Sequence, residues 1–100
     1  MANQIVDVEV DGSGRTTVNA PSVSISIKKQ EQVVWKTDQN QPFAVCFNGR
    51  GPFAARIFVG TKNSPVQSGY ASSAVQNTDY KYVVRVLGAA ELDPVVHTDP

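Results

Sequence analysis

Serine and a branched apolar residue alternate without exception along residues 22–27, and this alternation is the feature that most restricts the fold. A period of two places the apolar side chains on one face of an extended strand and the serines on the other. Residues 4–10 and 80–86 repeat the pattern, with valine or tyrosine at alternate positions. The chain is therefore predicted to build its core from half-buried strands.

Strand-like segments recur at short intervals between clusters of Gly, Pro, Asn, Asp and Ser, which is typical of an antiparallel sandwich or barrel. About eight are predicted, at residues 4–10, 15–18, 22–27, 33–36, 42–48, 56–59, 80–86 and 92–98. A chain of 100 residues forms one domain, here residues 1–100. We predict an all-β fold, an antiparallel Greek-key β-sandwich of about seven to nine strands.

Charge and cysteine content narrow the classes of function. Nine Lys and Arg residues balance nine Asp and Glu residues, so no overall field attracts nucleic acid or an acidic membrane. The single cysteine, Cys46, excludes an intrachain disulfide, as expected in a reducing compartment. Residues 1–10 lack the basic and apolar regions of a signal peptide, so a cytoplasmic location is the default expectation and secretion stays open. We expect neither a nucleic-acid partner nor a membrane partner.

Three segments together resemble the cupredoxins, the blue-copper family of β-sandwiches. Residues 32–36 are predicted to form a strand that has Trp near its end and is followed by a polar turn. Residues 41–45 contain a Pro-x pair, and residues 80–84 are predicted to form a strand with the pattern Tyr-x-Tyr. The order of these elements is similar to that of a cupredoxin over residues 22–98. The resemblance implies a cupredoxin-like arrangement of strands.

The resemblance also implies where copper would bind, and this chain has other residue types at those positions. Phe43 stands in place of the first imidazole, Val84 stands in place of the thiolate, and residues 85–91 contain neither His nor Met. A blue-copper site requires two imidazoles and a thiolate, whereas the chain has one His. We therefore expect no metal and no cofactor, and an electron-transfer copper protein is disfavoured.

The loop at residues 48–56 is the one segment with local support for binding. Asn48, Arg50, Phe53 and Arg56 combine two guanidinium groups for carboxylate or phosphate recognition with an aromatic side chain expected to be exposed. They are the predicted binding residues. The alternative is a structural turn in which the glycines satisfy backbone geometry and Phe53 folds back over the open end of the sandwich.

A catalytic centre is not predicted. Cys46 and His97 are the only thiol and the only imidazole, and they lie far apart in the sequence, with Asp93 and Asp99 as the carboxylates nearest to His97 along the chain. We therefore predict a non-catalytic binding or assembly module that contacts a protein partner or a second copy of itself, through the loop or an exposed sheet edge. The alternative is a carbohydrate-binding or small-anion-binding sandwich, in which Trp35, Phe53 or a tyrosine provides a stacking platform.

Overall fold

The computed structural model describes residues 3–47, 49, 51–71, 76–86 and 88–99, and within these ranges the chain forms nine strands and no helix. The strands are β1 (Asn3–Val10), β2 (Thr16–Val18), β3 (Ser22–Ser26), β4 (Gln32–Lys36), β5 (Phe43–Phe47), β6 (Ile57–Gly60), β7 (Val66–Gln67), β8 (Thr78–Val86) and β9 (Val95–Asp99). In the part of the chain that is described, no helix is long and apolar enough to span a bilayer.

The strands form two sheets. One sheet has four strands in the order β2-β1-β4-β7, and the other has five strands in the order β3-β9-β8-β5-β6. Buried residues from both sheets form one hydrophobic core. The all-β prediction is therefore confirmed, and the core lies between two layers of strands.

The prediction of a purely antiparallel arrangement is wrong. Strand β1 runs parallel to β4, and β3 runs parallel to β9, while the other neighbours are antiparallel. Alternation along a strand fixes which face is buried, but it carries no information about the direction of the neighbouring strand. The structure also adds β7, a two-residue strand that lies in the weakly patterned stretch after residue 60.

Alternation correctly predicts which side chains face the core. Val23 and Ile25 of β3 are buried while the serine beside each of them on the amino-terminal side is exposed. In β4, Val33 and Trp35 are fully buried, and the residue before each of them is half-buried. The interior is filled mainly by β-branched and aromatic residues, which pack well on pleated surfaces.

Trp35 lies at the centre of an aromatic cluster. Its ring centroid is 5.3 Å from that of Phe58, 5.6 Å from that of Tyr82, 6.3 Å from that of Phe53 and 6.4 Å from that of Phe47. Most of these pairs meet edge to face, which is the favourable geometry for aromatic quadrupoles. The indole Nε1–H also donates a hydrogen bond of 3.3 Å to the Tyr82 hydroxyl, so the polar atom of the buried indole is satisfied.

Burial raises the pKa of Tyr82 to about 12. The folded chain favours the neutral phenol of Tyr82. The stabilisation that comes from this preference is therefore complete at pH values below about 10, the ordinary pKa of tyrosine. We expect this contribution to the free energy of unfolding to fall by about 1.4 kcal/mol per pH unit between about pH 10 and about pH 12. Urea denaturation at several pH values should show the fall in the native protein and lack this component in Tyr82→Phe.

At neutral pH, Tyr82→Phe should still lower the free energy of unfolding by about 1–3 kcal/mol, because it leaves the buried Trp35 N–H without an acceptor. Tyr70→Phe is the matched control, since Tyr70 is 58% exposed. It should leave the free energy of unfolding at neutral pH nearly unchanged. If Tyr82→Phe and the native protein lose the same stability as the pH rises, the raised pKa assigned to Tyr82 is wrong.

Candidate functional site

The predicted binding loop does not present its aromatic residue to solvent. Phe53 is only 2% exposed, and its ring lies 5.7 Å from that of Phe47 and 6.1 Å from that of Phe58, measured between centroids. The expectation that Phe53 is exposed is therefore wrong, and its burial in the aromatic cluster agrees with the alternative of a structural turn that folds this ring back. A ligand cannot stack on Phe53 in this conformation.

The polar members of the predicted loop site are only partly described. Asn48 and Arg50 lie outside the described residues. Arg56 is exposed, and its carbonyl oxygen accepts a 2.8 Å hydrogen bond from the amide of Phe47. Its guanidinium takes part in none of the ion pairs among the described residues. Arg56 therefore stands at the start of β6 with its side chain available to solvent.

Cys46 and His97 do not form a pair. Both side chains lie on the outer face of the five-stranded sheet, but Cys46 is opposite Val83 of β8 and His97 is opposite Asp79 of β8. These positions are four residues apart along β8 and on its two opposite sides, a separation of about 16 Å. A thiolate–imidazole pair would require hydrogen-bond contact, so these two residues offer no catalytic dyad.

His97 is instead bracketed by two carboxylates. Its Nδ1 lies 2.6 Å from Oδ1 of Asp79, and its Nε2 lies 3.3 Å from Oδ1 of Asp99. Asp79 was not expected, because strand pairing rather than sequence proximity brings it to His97. The carboxylates contact opposite ring nitrogens, so the three side chains do not converge on one point. Among the described residues no group of three or more His, Cys, Asp or Glu side chains is placed to hold a metal ion.

The positions that the cupredoxin resemblance assigns to copper ligands belong to the hydrophobic core. Phe43 is 1% exposed and Val84 is fully buried. They lie on the same face of adjacent strands, because Phe43 is opposite Val86 and Val45 is opposite Val84. Hydrocarbon side chains therefore fill the place where polar ligands would be required.

The outer surface of β6 is unusually apolar. Ile57 and Val59 are 61% and 62% exposed. Ile57 lies beside Cys46 of β5, which in turn lies beside Val83 of β8 on the same outer face. Val59 lies beside Ala44 of β5. We call these five residues, Ala44, Cys46, Ile57, Val59 and Val83, the β6 edge surface. A contiguous apolar surface of this kind is a common feature of protein interaction sites.

Unpaired backbone groups accompany these side chains. The amide of Phe47 donates to the carbonyl of Arg56, so Arg56 directs its peptide groups toward β5, and by alternation Phe58 does the same. The N–H and C=O groups of Ile57 and Val59 therefore point away from β5. No strand in the described part of the chain pairs with this side of β6. The edge offers both donors and acceptors to an added strand.

The other sheet edges are less suited to pairing. Strand β2 has three residues and β7 has two, and short edge strands limit the number of ladder hydrogen bonds. The edge strand β3 presents serines on its outer face. Strand β6, with the sequence Ile-Phe-Val-Gly, contains neither a charged residue nor a proline. Charged residues and prolines are the residue types that usually block pairing at a sheet edge. Strand β6 ends where Thr61 and Ser64 exchange two backbone hydrogen bonds and turn the chain.

Two cavities lie near the same end of the sandwich. An apolar cavity of about 440 Å³ includes Ala44 and Val59 of the β6 edge surface, and the ion pair between Arg85 Nε and Glu91 Oε2, 3.1 Å apart, lies at its border. A polar cavity of about 500 Å³ shares Gly88 and Ala89 with it. The polar cavity is lined by Val10, Asp38, Gln39, Asn40, Gln41, Lys62, Gly88 and Ala89.

Comparison with known proteins gives no family or relative for this chain. No protein-family model matches it, and searches of the curated proteins and of the solved structures find no match either. The functional argument consequently depends on the geometry described above.

The sequence predicts β6 only as a short returning strand and indicates no role for Ile57 and Val59. The available signal was the absence of any charge or proline between Arg56 and Lys62. That signal becomes meaningful only once β6 is known to lie at a sheet edge.

Proposed function

We propose that this chain is a non-catalytic protein-binding module on a copper-free, cupredoxin-like sandwich, and that it binds by accepting a β-strand from a partner protein at the β6 edge surface. The observation that carries the proposal is the coincidence of exposed Ile57 and Val59 side chains with outward-facing peptide groups on the same two residues. Added strands gain affinity from main-chain hydrogen bonds and specificity from alternate side chains.

The cupredoxin-like part of the proposal is supported by the two-layer all-β architecture and by the apolar side chains at the positions that the resemblance assigns to copper ligands. Phe43 and Val84 give the scaffold a continuous hydrocarbon core there. The chain's one thiol and one imidazole lie on the outer face of the sheet, well away from this core. We propose that the scaffold acts by surface contact and not by electron transfer or catalysis.

A second candidate function is the binding of a carbohydrate or a small anion. The polar cavity favours it, because Asp38, Asn40, Gln41 and Lys62 bring amide, carboxylate and ammonium groups around one concave surface. No aromatic side chain is among the described residues that line this cavity, so a stacking platform for a sugar ring is not provided there. Strand addition at β6 is therefore the function that the geometry supports best.

The experiment is site-specific photo-crosslinking in cells that express the protein, with a photoreactive amino acid at position 59. We expect a discrete crosslinked product, because a strand added to β6 would lie beside Val59. The matched control places the same group at Ile5, which is 49% exposed on β1 of the other sheet. A product that forms equally from both positions, or from neither, would contradict the proposal.

A second substitution tests whether the product depends on the edge. Ile57→Lys should reduce crosslinking from position 59 at least about tenfold, because a charged side chain disfavours pairing at an apolar strand edge. Ile5→Lys introduces the same charge on the other sheet and should leave the yield unchanged. Thermal unfolding of each variant provides the check that both remain folded.

A further inference from the structure

We infer that the strand added at the β6 edge surface is β6 of a second copy of this chain, paired antiparallel about a two-fold axis that passes between the Phe58 residues of the two copies. This inference rests on the proposed function, and it names the partner for the same surface. The axis makes Ile57 of each copy face Val59 of the other. The pairing would join the two five-stranded sheets into one continuous sheet.

The face alternation of β6 restricts the possible registers. Phe58 points inward and is 7% exposed, whereas Ile57 and Val59 point outward. In a continuous sheet, residues opposite each other share a face, so Ile57 must meet an outward-facing residue of the second copy. A slip by one residue would place Ile57 opposite Gly60, which faces inward. Registers that mismatch the faces are therefore excluded.

Among the registers that preserve the faces, only the one centred on Phe58 pairs both Ile57 and Val59 with aliphatic residues of β6 itself. Centring the axis on Ile57 would place Val59 opposite Ala55, which precedes the strand. Centring the axis on Val59 would place Ile57 opposite Thr61, whose N–H and C=O already bond to Ser64. In the Phe58 register, by contrast, the peptide groups of Ile57 and Val59 of the two copies can exchange four hydrogen bonds, because these groups all point to the free edge.

Self-complementarity favours a second copy over an unrelated strand. A two-fold interface uses the same patch on both partners, and β6 supplies the donors, the acceptors and both aliphatic side chains that such a pair needs. The contact is short, so we expect weak association that depends strongly on concentration. The charges nearest to the strand are Arg56 and Lys62, both basic. In the Phe58 register Arg56 lies opposite Gly60, and Lys62 lies opposite Ala54 of the second copy. Arg56 of one copy and Lys62 of the other therefore lie near the same end of the paired strands. Their charges repel, so added salt should strengthen the pairing.

The register can be tested with two single-cysteine proteins. One carries Ile57→Cys and the other Val59→Cys, and both carry Cys46→Ser because Cys46 lies opposite position 57 within the chain. Residues 57 and 59 of the two copies would form a hydrogen-bonded pair with a Cα separation of about 5.5 Å, which suits a disulfide. Under mild oxidation the mixture should give at least about ten times more disulfide-linked dimer than either protein alone.

The control mixture combines Val59→Cys with Ile5→Cys, again with Cys46→Ser, and should yield no more dimer than the single proteins. Equal crosslinking by the mixture and by each single protein would overturn the two-fold axis at Phe58. If the mixture gives no excess while photo-crosslinking from position 59 captures a different protein in an edge-dependent manner, the second copy is wrong and strand addition stands. If both experiments give no product, both proposals fail.

The salt dependence of the dimer yield also distinguishes a second copy of this chain from an unrelated partner strand. Dimer yield from the cysteine mixture should rise between low and moderate ionic strength, because screening reduces the repulsion between Arg56 and Lys62 of opposing copies. A fall in yield would indicate attraction between unlike charges and would overturn the inferred pairing of two basic strand ends.

Discussion

Replacing Trp35 with alanine is expected to lower the free energy of unfolding by about 3–5 kcal/mol, the largest effect of any single substitution considered for this protein. Trp35 is fully buried, contacts four other aromatic rings and donates a hydrogen bond to Tyr82. Its removal therefore leaves a cavity between the two sheets. A domain of this size is typically stable by only about 5–15 kcal/mol, so the variant should be partly unfolded near physiological temperature.

The measurement is urea denaturation followed by far-ultraviolet circular dichroism, because Trp35 is the only tryptophan and its fluorescence is lost with the substitution. Trp35→Phe keeps a ring at the site and should have a smaller effect than Trp35→Ala. Tyr70→Ala removes an exposed aromatic residue and should change the free energy of unfolding by less than about 0.5 kcal/mol. A Trp35→Ala effect as small as that of Tyr70→Ala would refute the central position assigned to the indole.

Gly60→Ala is expected to destabilise the protein by about 1–3 kcal/mol even though it adds only one methyl group. A Cβ atom at position 60 would lie 2.4 Å from Cζ and 2.7 Å from Cε1 of Phe43. The two residues are opposite each other on β6 and β5, and the Phe43 ring is 1% exposed. Because the ring is enclosed, it cannot move aside without disturbing its neighbours.

A double-mutant cycle tests this explanation. Phe43→Leu shortens the side chain that occupies the space over Gly60, so the double variant should be more stable than the sum of the two single effects by about 1 kcal/mol or more. Gly12→Ala is the matched control, since no heavy atom would lie within 4 Å of its Cβ. It should have little effect. Additive effects of Gly60→Ala and Phe43→Leu would show that the ring is not the obstacle.

The sequence predicts the buried faces of the strands well because burial is a local property of the alternation. Ser24, between Val23 and Ile25, illustrates this, since a single residue of shift would bury the serine and expose the valine. Strand direction depends instead on which distant segment provides the hydrogen-bond partner. The parallel pairing of Ser22 with Val95 is invisible in the pattern of either strand.

The candidate site was harder to predict for the same reason. Phe53 follows Gly and Pro residues that indicate a turn, but they do not indicate whether the turn carries its aromatic side chain inward. Its burial depends on the space left beside Trp35 and Phe47. Conversely, Ile57 and Val59 resemble ordinary strand residues, and they become candidate binding residues only because β6 has a neighbour on one side.

The resemblance to the cupredoxins and the geometry of β6 bear on different aspects of function. Phe43 lies at a position that would have to coordinate copper in that family, and here its ring covers Gly60 and supports the base of β6. If the proposed strand addition is correct, Phe43 also helps to hold the binding edge in place.

The parallel pairing of β3 with β9 has a consequence for how the protein is made. During synthesis on the ribosome, β3 emerges long before β9. Val23 and Ile25, which are buried in the native state, therefore lack their partner strand until β9 has been made. The four-stranded sheet can begin to assemble earlier, because both neighbours of β1, namely β2 and β4, emerge soon after it. Pairings between distant segments form slowly, so closure of the β3 edge should be the late step of folding. Until β9 pairs with β3, the serines that alternate along β3 keep one face of this strand polar and compatible with water.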